Sequence, residues 1–260
     1  VGNIDSLLKQ SAYPEKDYWV TEWNNWCNGC DDGKLGEYNY SFADKSIGYL
    51  LDFLKHGATA GLVWEGYDSY YEHHAPAPFS YWGMLAFDAK NNRYSPRKNF
   101  YALQQVSRFL QPGSWRVAVS GETDSLVVLS FHQETTKNIT IIGINRSHKV
   151  RQLMGKLKNL PAHSSLAMYY TSEQHNVKRI ADISITNQSF NTAIPADCIF
   201  TLTSNTKPEP ADWYTGDIHV HKNCGDETVL SESKLPGMME SNDLAVIAVL
   251  ADMGNGAVKN

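Results

Sequence analysis

A chain of 260 residues has room for one large domain or two small ones. With 42% apolar and 20% charged residues it has the balance of an ordinary globular protein, and a formal net charge of -5 excludes nucleic acid or an anionic membrane as a partner recruited by charge. No apolar run is long enough to cross a bilayer as a helix, which argues against membrane insertion; the chain opens at Val1 without a signal-peptide pattern and reads as mid-domain from its first residue.

Residues 3–10 carry Ile4, Leu7 and Leu8 on one helical face, and Tyr13-Pro14 ends that helix. Residues 18–23 are a short apolar run that stops at a carboxylate, Glu22, flanked by Trp19 and Trp23; the pattern predicts a buried strand. Residues 24–40 lack periodicity and form a loop. Within it Cys27 and Cys30 make a C-x-x-C that suits a local disulfide as well as two free thiols. Phe42, Ile47, Leu50, Leu51 and Leu54 recur at helical spacing, with Ser41 as the expected N-cap and His56-Gly57 as the stop. Residues 59–65 repeat the first strand's design, ending in Trp64 and Glu65. A long loop over 66–96 follows, then a helix over 98–110 with Phe100, Leu103, Val106 and Leu110 on one side. Strands buried on both faces and alternating with helices predict a parallel sheet. Long, chemically rich loops after the strands place function at their carboxyl ends, as in a (β/α)8 barrel.

From Pro112 the pattern turns to short β-type runs at 115–119, 125–132, 138–145, 150–157, 165–171, 177–186 and 198–203. Turn residues separate them, which predicts an antiparallel sandwich in which Cys198 is a core residue. Residues 204–212, with Pro208 and Pro210, read as a linker. Residues 213–260 hold a strand at 216–220, a helix near 236–242 and an apolar run at 244–250, too little to bury a core alone.

Seven Trp and fourteen Tyr, many between residues 13 and 101, suit either a Trp-rich core or flat platforms for sugar rings. Retaining glycoside hydrolysis needs one carboxylate to attack the anomeric carbon and another to protonate the leaving group. Glu22 is placed for attack, although a Glu that follows a strand also serves as a salt-bridge partner or a solvated rim residue. Tyr18-Trp19-Val20-Thr21-Glu22-Trp23-Asn24, followed by Gly61-Leu62-Val63-Trp64, resembles strands seven and eight of the large clan of retaining glycoside hydrolases with (β/α)8 barrels. The run from Tyr94 through Arg97 to Leu103 resembles the clan's final barrel helix, and Ile194-Pro195-Ala196-Asp197-Cys198-Ile199-Phe200-Thr201-Leu202 resembles the last strand of the sandwich that follows it. The resemblance implies Glu22 as nucleophile, Trp64 as the floor of a sugar subsite, and Trp23, Asn24 and Glu65 as substrate-binding neighbours. It further implies an oligo- or polysaccharide substrate, no cofactor, and an extracellular or periplasmic location. The clan's acid/base is a Glu after an Asn on strand four, which would lie before Val1; no Asn-Glu pair occurs in the chain, and neither Glu37 nor Glu65 matches that position. The expected barrel portion therefore holds only its last strands, and the 260-residue chain alone is not expected to be a competent glycosidase.

Gly216-Asp217-Ile218-His219-Val220-His221 is a second chemical signal. Two His at i and i+2 on a strand share a face and can reach one metal ion, although surface histidines flanking a Val look the same in sequence. The stretch resembles the first motif of the PHP superfamily of metal-dependent phosphoesterases, which implies a divalent metal (Zn, Mn or Fe) at His219 and His221. Asp252 matches the next motif, but Met253 stands where that motif has His, and a thioether is a poor ligand for such metals. Glu72-His73-His74 is a further cluster, better suited to a cleft rim than to a metal.

The resulting fold class is α/β plus all-β: a partial (β/α)8 barrel over 1–112, an antiparallel β-sandwich over 113–204, and a linker with a short PHP-like α/β fragment over 205–260. The functional reading is a fragment of a retaining glycoside hydrolase. Its rivals are a PHP-type phosphoesterase fragment and a non-catalytic carbohydrate-binding protein.

Overall fold

The computed structural model describes residues 2–26, 39–70, 79–88, 90–121, 123, 125–205, 216–221 and 246–250. The fold is mixed α/β and mostly strand. Helix α1 (Gly2–Lys9) precedes strand β1 (Trp19–Trp23), helix α2 (Tyr40–Lys55) and strand β2 (Ala60–Val63), and β1 and β2 pair in parallel. The expected parallel pairing is present, but the expected burial of β1 is not. Only Trp23 of that strand is buried, and Trp19 is 56% exposed. The reason is that β1 has β2 as its one neighbour among the described residues, so one edge and one face of the strand stay open. The apolar stripe of α1 is likewise uncovered at Ile4 and Leu7.

Helix α2 begins two residues earlier than its expected cap implies. Its N-cap is Asn39, not Ser41: the Asn39 side chain accepts from the Phe42 amide at 3.1 Å. Gly57, with φ +94°, ends the helix as expected. Asn39→Ala is expected to cost about 1 kcal/mol, the usual loss of an N-cap, read as a lower urea midpoint at unchanged m-value.

The loop over 66–96 contains two small hairpins that periodicity does not reveal. One joins β3 (Ser69–Tyr70) to β4 (Phe79–Ser80), the other β5 (Leu85–Asp88) to β6 (Arg93–Pro96). Helix α3 (Lys98–Ser107) follows. Its buried face is Asn99, Ala102, Gln105 and Val106, rotated from the expected Phe100–Leu103–Val106 stripe.

Beyond α3, strands β7 (Ser114–Val117), β8 (Leu126–Gln133), β9 (Ile139–Asn145), β11 (Ser165–Thr171), β12 (Lys178–Arg179) and β15 (Cys198–Thr203) form an antiparallel sheet in the order β12-β11-β15-β9-β8-β7, with β13 (Ile183–Ser184) pairing β11. Strands β10 (Arg151–Lys156) and β14 (Ser189–Ile194) make a separate antiparallel pair. The run expected over 177–186 is split between β12 and β13, and β14 is an additional strand entered through the Asn187–Gln188 turn, where both residues have positive φ.

The large sheet is buried on both faces, which explains the unbroken apolar runs of β9 and β15. Ile139, Ile141, Phe200, Leu202 and Cys198 face one core with Phe190 and Ile194 of β14. Ile142, Ile144 and Ile199 face the other with Ile47, Leu50 and Leu51 of α2, Ala102 and Val106 of α3, and Trp23 of β1. Each such isoleucine, fully shielded, contributes about 1.5–3 kcal/mol. Cys198 is a core residue as expected; burial first, then Asp197 beside it, pushes its thiol up to about 12.

Polar stitches fix the sheet to the helices. Thr201 Oγ1 donates to the Gln105 carbonyl at 2.6 Å and lies 2.8 Å from its Oε1, while Gln105 Nε2 donates to Thr171 Oγ1 at 2.9 Å. Arg146 Nε donates to both Asp44 carboxylate oxygens, at 2.9 and 3.2 Å. Its guanidinium occupies the space a side chain at Gly48 would need. The strand carrying Glu22 is thus joined through Trp23 and α2 to a rigid sheet.

Strands β16 (Gly216–His221) and β17 (Val246–Leu250) pair in parallel, Gly216 opposite Val246 and His221 opposite Leu250. The linker expected from residue 204 is still tied to the sheet at its start, where the Ser204 amide donates to the Ile139 carbonyl at 3.0 Å and Asn205 is buried. Residues 206–212, Cys27, Cys30, Glu37, Glu72-His73-His74, the helix expected at 236–242, Asp252 and Met253 lie outside the described residues.

Candidate active site

The site is assembled at the carboxyl ends of β1 and β2. Val20 pairs with Gly61 and Trp23 with Val63, so Thr21 and Glu22 together stand opposite Leu62 alone. This is a β-bulge, one extra residue that re-aims the side chains around it. Val20 and Trp23, three residues apart, consequently pack into the same helix-side core, and Thr21 and Glu22 are both exposed. Gly61 makes room for this arrangement: a Cβ there would come within 2.9 Å of Leu50 Cδ1 and 3.1 Å of Trp23 Nε1. Trp23 is therefore a wall between strand and helix, edge-to-face with Phe53 at 6.0 Å. Glu22 has no ion-pair partner among the described residues.

Asn24 joins the two strand ends. Its side-chain amide donates to the carbonyl of Trp64 and, at 3.4 Å, to that of Trp82, while its Oδ1 accepts from the Asn25 amide at 2.8 Å and from Ser46 Oγ at 3.4 Å. The Trp64 amide in turn donates to the Trp23 carbonyl at 2.8 Å. Trp64 is half-buried. Glu65 is buried, joined to Trp64 by a cis peptide bond, and its carbonyl accepts from the Met84 amide at 3.0 Å.

The loop after β2 is closed by an ion pair that sequence reasoning missed. Asp68, fully buried, meets Arg97 through Nη1 at 2.5 Å and Nη2 at 2.7 Å. The same carboxylate accepts from the Gly83 amide at 3.1 Å and the Phe87 amide at 3.0 Å. Arg97 also donates to the Gly83 carbonyl, and Tyr94 donates its hydroxyl to the Asp68 carbonyl at 3.1 Å. Burial, then neighbouring Tyr67, Asp68 and Glu65, raises the Tyr94 phenol, so it stays protonated for that bond. Gly83 fits here because a Cβ would collide with the Asp68 backbone. The pair is separated by 29 residues, and no local pattern announces it. Its effect is to hold Trp82, whose ring meets Trp26 edge-on at 6.2 Å and 74°.

The structure therefore places Glu22, Trp23, Asn24, Trp64 and Glu65 at one end of one small sheet. His219 and His221 belong to β16, whose backbone register against β17 shifts by one residue between Asp217 and Val220. Among the described residues no group of three His, Cys, Asp or Glu could hold a metal ion.

No known protein-family profile matches the chain. Solved structures do. A glycoside hydrolase family 30 subfamily 8 xylanase from Clostridium acetobutylicum superposes with a TM-score of 0.57 at 19% identity, over 73% of this chain and 43% of that one. A family 30 endoxylanase from Clostridium papyrosolvens gives 0.58 at 21% identity, over 79% and 46%. These likenesses establish the fold. Over the matched residues the chain shares the fold of these two xylanases, and it spans less than half the length of either. A conserved exported protein from Bacteroides fragilis gives 0.58 at 13% identity, over 78% and 41%. No helix among the described residues is long and apolar enough to cross a membrane.

Proposed function

We propose that the chain carries the nucleophile-bearing part of a retaining glycoside hydrolase, with Glu22 attacking the anomeric carbon and Trp64 flooring the sugar subsite. Residues 1–112 are the last strands of a (β/α)8 barrel and 113–204 a β-sandwich buttressing it. The observation that carries this reading is the bulge at the end of β1, which leaves Glu22 exposed at the carboxyl end of a parallel pair, one residue before Trp23, whose carbonyl accepts from the Trp64 amide. Three of the similar structures are xylanases and another is described as an exported protein, which supports a xylan-type polysaccharide met outside the cytoplasm as the substrate class. Glu22 and Trp64 need no cofactor for this chemistry.

The chain alone is inactive in this reading. The uncovered Trp19, Ile4 and Leu7, and the single partner of β1 among the described residues, are surfaces that further barrel strands would cover. The test is hydrolysis of xylan and aryl xylosides by the product of the whole reading frame that encodes these residues, compared with its Glu22→Gln variant.

The parallel pairing of β16 and β17 favours a second, separate reading for 205–260, the start of a PHP-type domain with a divalent metal at His219 and His221. Zinc retained after gel filtration and lost on His219→Ala supports it; equal metal content in both forms contradicts it.

A further inference from the structure

We infer that Trp26 and Trp82 form a second sugar platform beside Glu22, taking one pyranose ring of a glycan chain. The inference rests on the glycan reading above and adds a binding surface to it. Trp26 follows Glu22 by four residues and is 72% exposed, although its neighbour Asn25 is buried. The Trp82 ring stands edge-on to it, 6.2 Å away at 74°, and an edge-to-face pair leaves its outer faces open to a flat apolar ligand.

The second observation is how firmly Trp82 is held. Its carbonyl accepts from Asn24, which also holds Trp64. The next residue, Gly83, is gripped at its amide by Asp68 and at its carbonyl by Arg97. A buried ion pair thus fixes a partly exposed indole, and one side chain, Asn24, ties that indole's backbone to the strand of Glu22 and to Trp64. Such pre-organisation removes ordering cost from ligand binding. A pyranose ring fits because its axial C–H groups make a flat apolar face and its equatorial hydroxyls remain in water.

The experiment titrates xylohexaose and cellohexaose calorimetrically into the whole-reading-frame protein, made catalytically inert by Glu22→Gln, with circular dichroism melts to check folding. Trp26→Ala and Trp82→Ala are each expected to weaken binding about tenfold, Trp82→Phe to retain most of it, and Trp115→Ala, at an exposed site on β7, to leave it unchanged. Because Trp26 is so exposed, its variant tests the corner even if Trp82→Ala fails to fold. Weakening by Trp64→Ala but by neither Trp26→Ala nor Trp82→Ala overturns the platform and leaves the glycan reading standing. Absence of binding to either hexasaccharide by the whole-reading-frame protein with both indoles intact overturns both. A dimer that dissociates on Trp26→Ala, with sugar affinity unchanged, assigns the corner to self-association and also overturns the platform.

Discussion

Asp68→Ala is expected to destabilise the fold by about 3–5 kcal/mol, because it strips the countercharge from a buried guanidinium. The Asp68 and Arg97 side chains are 0% and 6% exposed, so water cannot replace the lost partner as it does at a surface pair. The same substitution releases the amides of Gly83 and Phe87, each of which loses its acceptor. Asp68→Asn keeps the shape and some acceptors and should cost less. Replacing both partners by apolar side chains of similar volume should recover much of the loss, since the desolvation cost of the pair disappears with it. Urea unfolding of the four proteins measures this. A loss below about 1 kcal/mol for Asp68→Ala would mean the pair behaves like an exposed one, and the account of the loop after β2 would be wrong.

Glu22→Gln is expected to reduce glycan hydrolysis by the whole-reading-frame protein roughly 10⁴-fold or more, the scale of losing a nucleophile. An amide is a poor nucleophile for displacing the leaving group from C1 and cannot form the glycosyl ester of the retaining route. Stability should hardly change, because the Glu22 side chain is exposed and makes no ion pair among the described residues. A large loss of activity without a loss of stability separates chemistry from folding. Equal losses of both would assign Glu22 to the scaffold.

The parts of the molecule written in local pattern were legible in the sequence. The runs of β9 and β15 are apolar at nearly every position because the sheet is covered on both faces, and α2 carries its helical stripe openly. The short strands β1 and β2 were found by their aromatic-carboxylate endings, together with their parallel order. The remainder depends on contacts between distant residues. Burial of β1 was overestimated because an apolar run does not disclose how many neighbours a strand has. The apolar spacing misses the buried face of α3 because that face uses Asn99, Ala102 and Gln105, small or polar residues, of which Gln105 bonds to Thr171 and Thr201 across the layer. The hairpins of 66–96 are organised by Asp68 and Arg97, which carry no spacing rule, and the bulge at Thr21–Glu22 exists only relative to β2. Ser41 and Asn39 are residue types that cap equally well, and only the helix start at Tyr40 distinguishes them.

The central claim is that the carboxylate of Glu22 bonds covalently to the sugar. A dinitrophenyl 2-deoxy-2-fluoroxyloside tests it directly, since its leaving group needs no protonation and the fluorine slows breakdown of the ester. After incubation with the whole-reading-frame protein, peptide mass spectrometry should find the fluorosugar on Glu22 and no adduct in Glu22→Gln. Label on Glu65 or another carboxylate, or turnover with inversion at C1 and no adduct, would contradict the account.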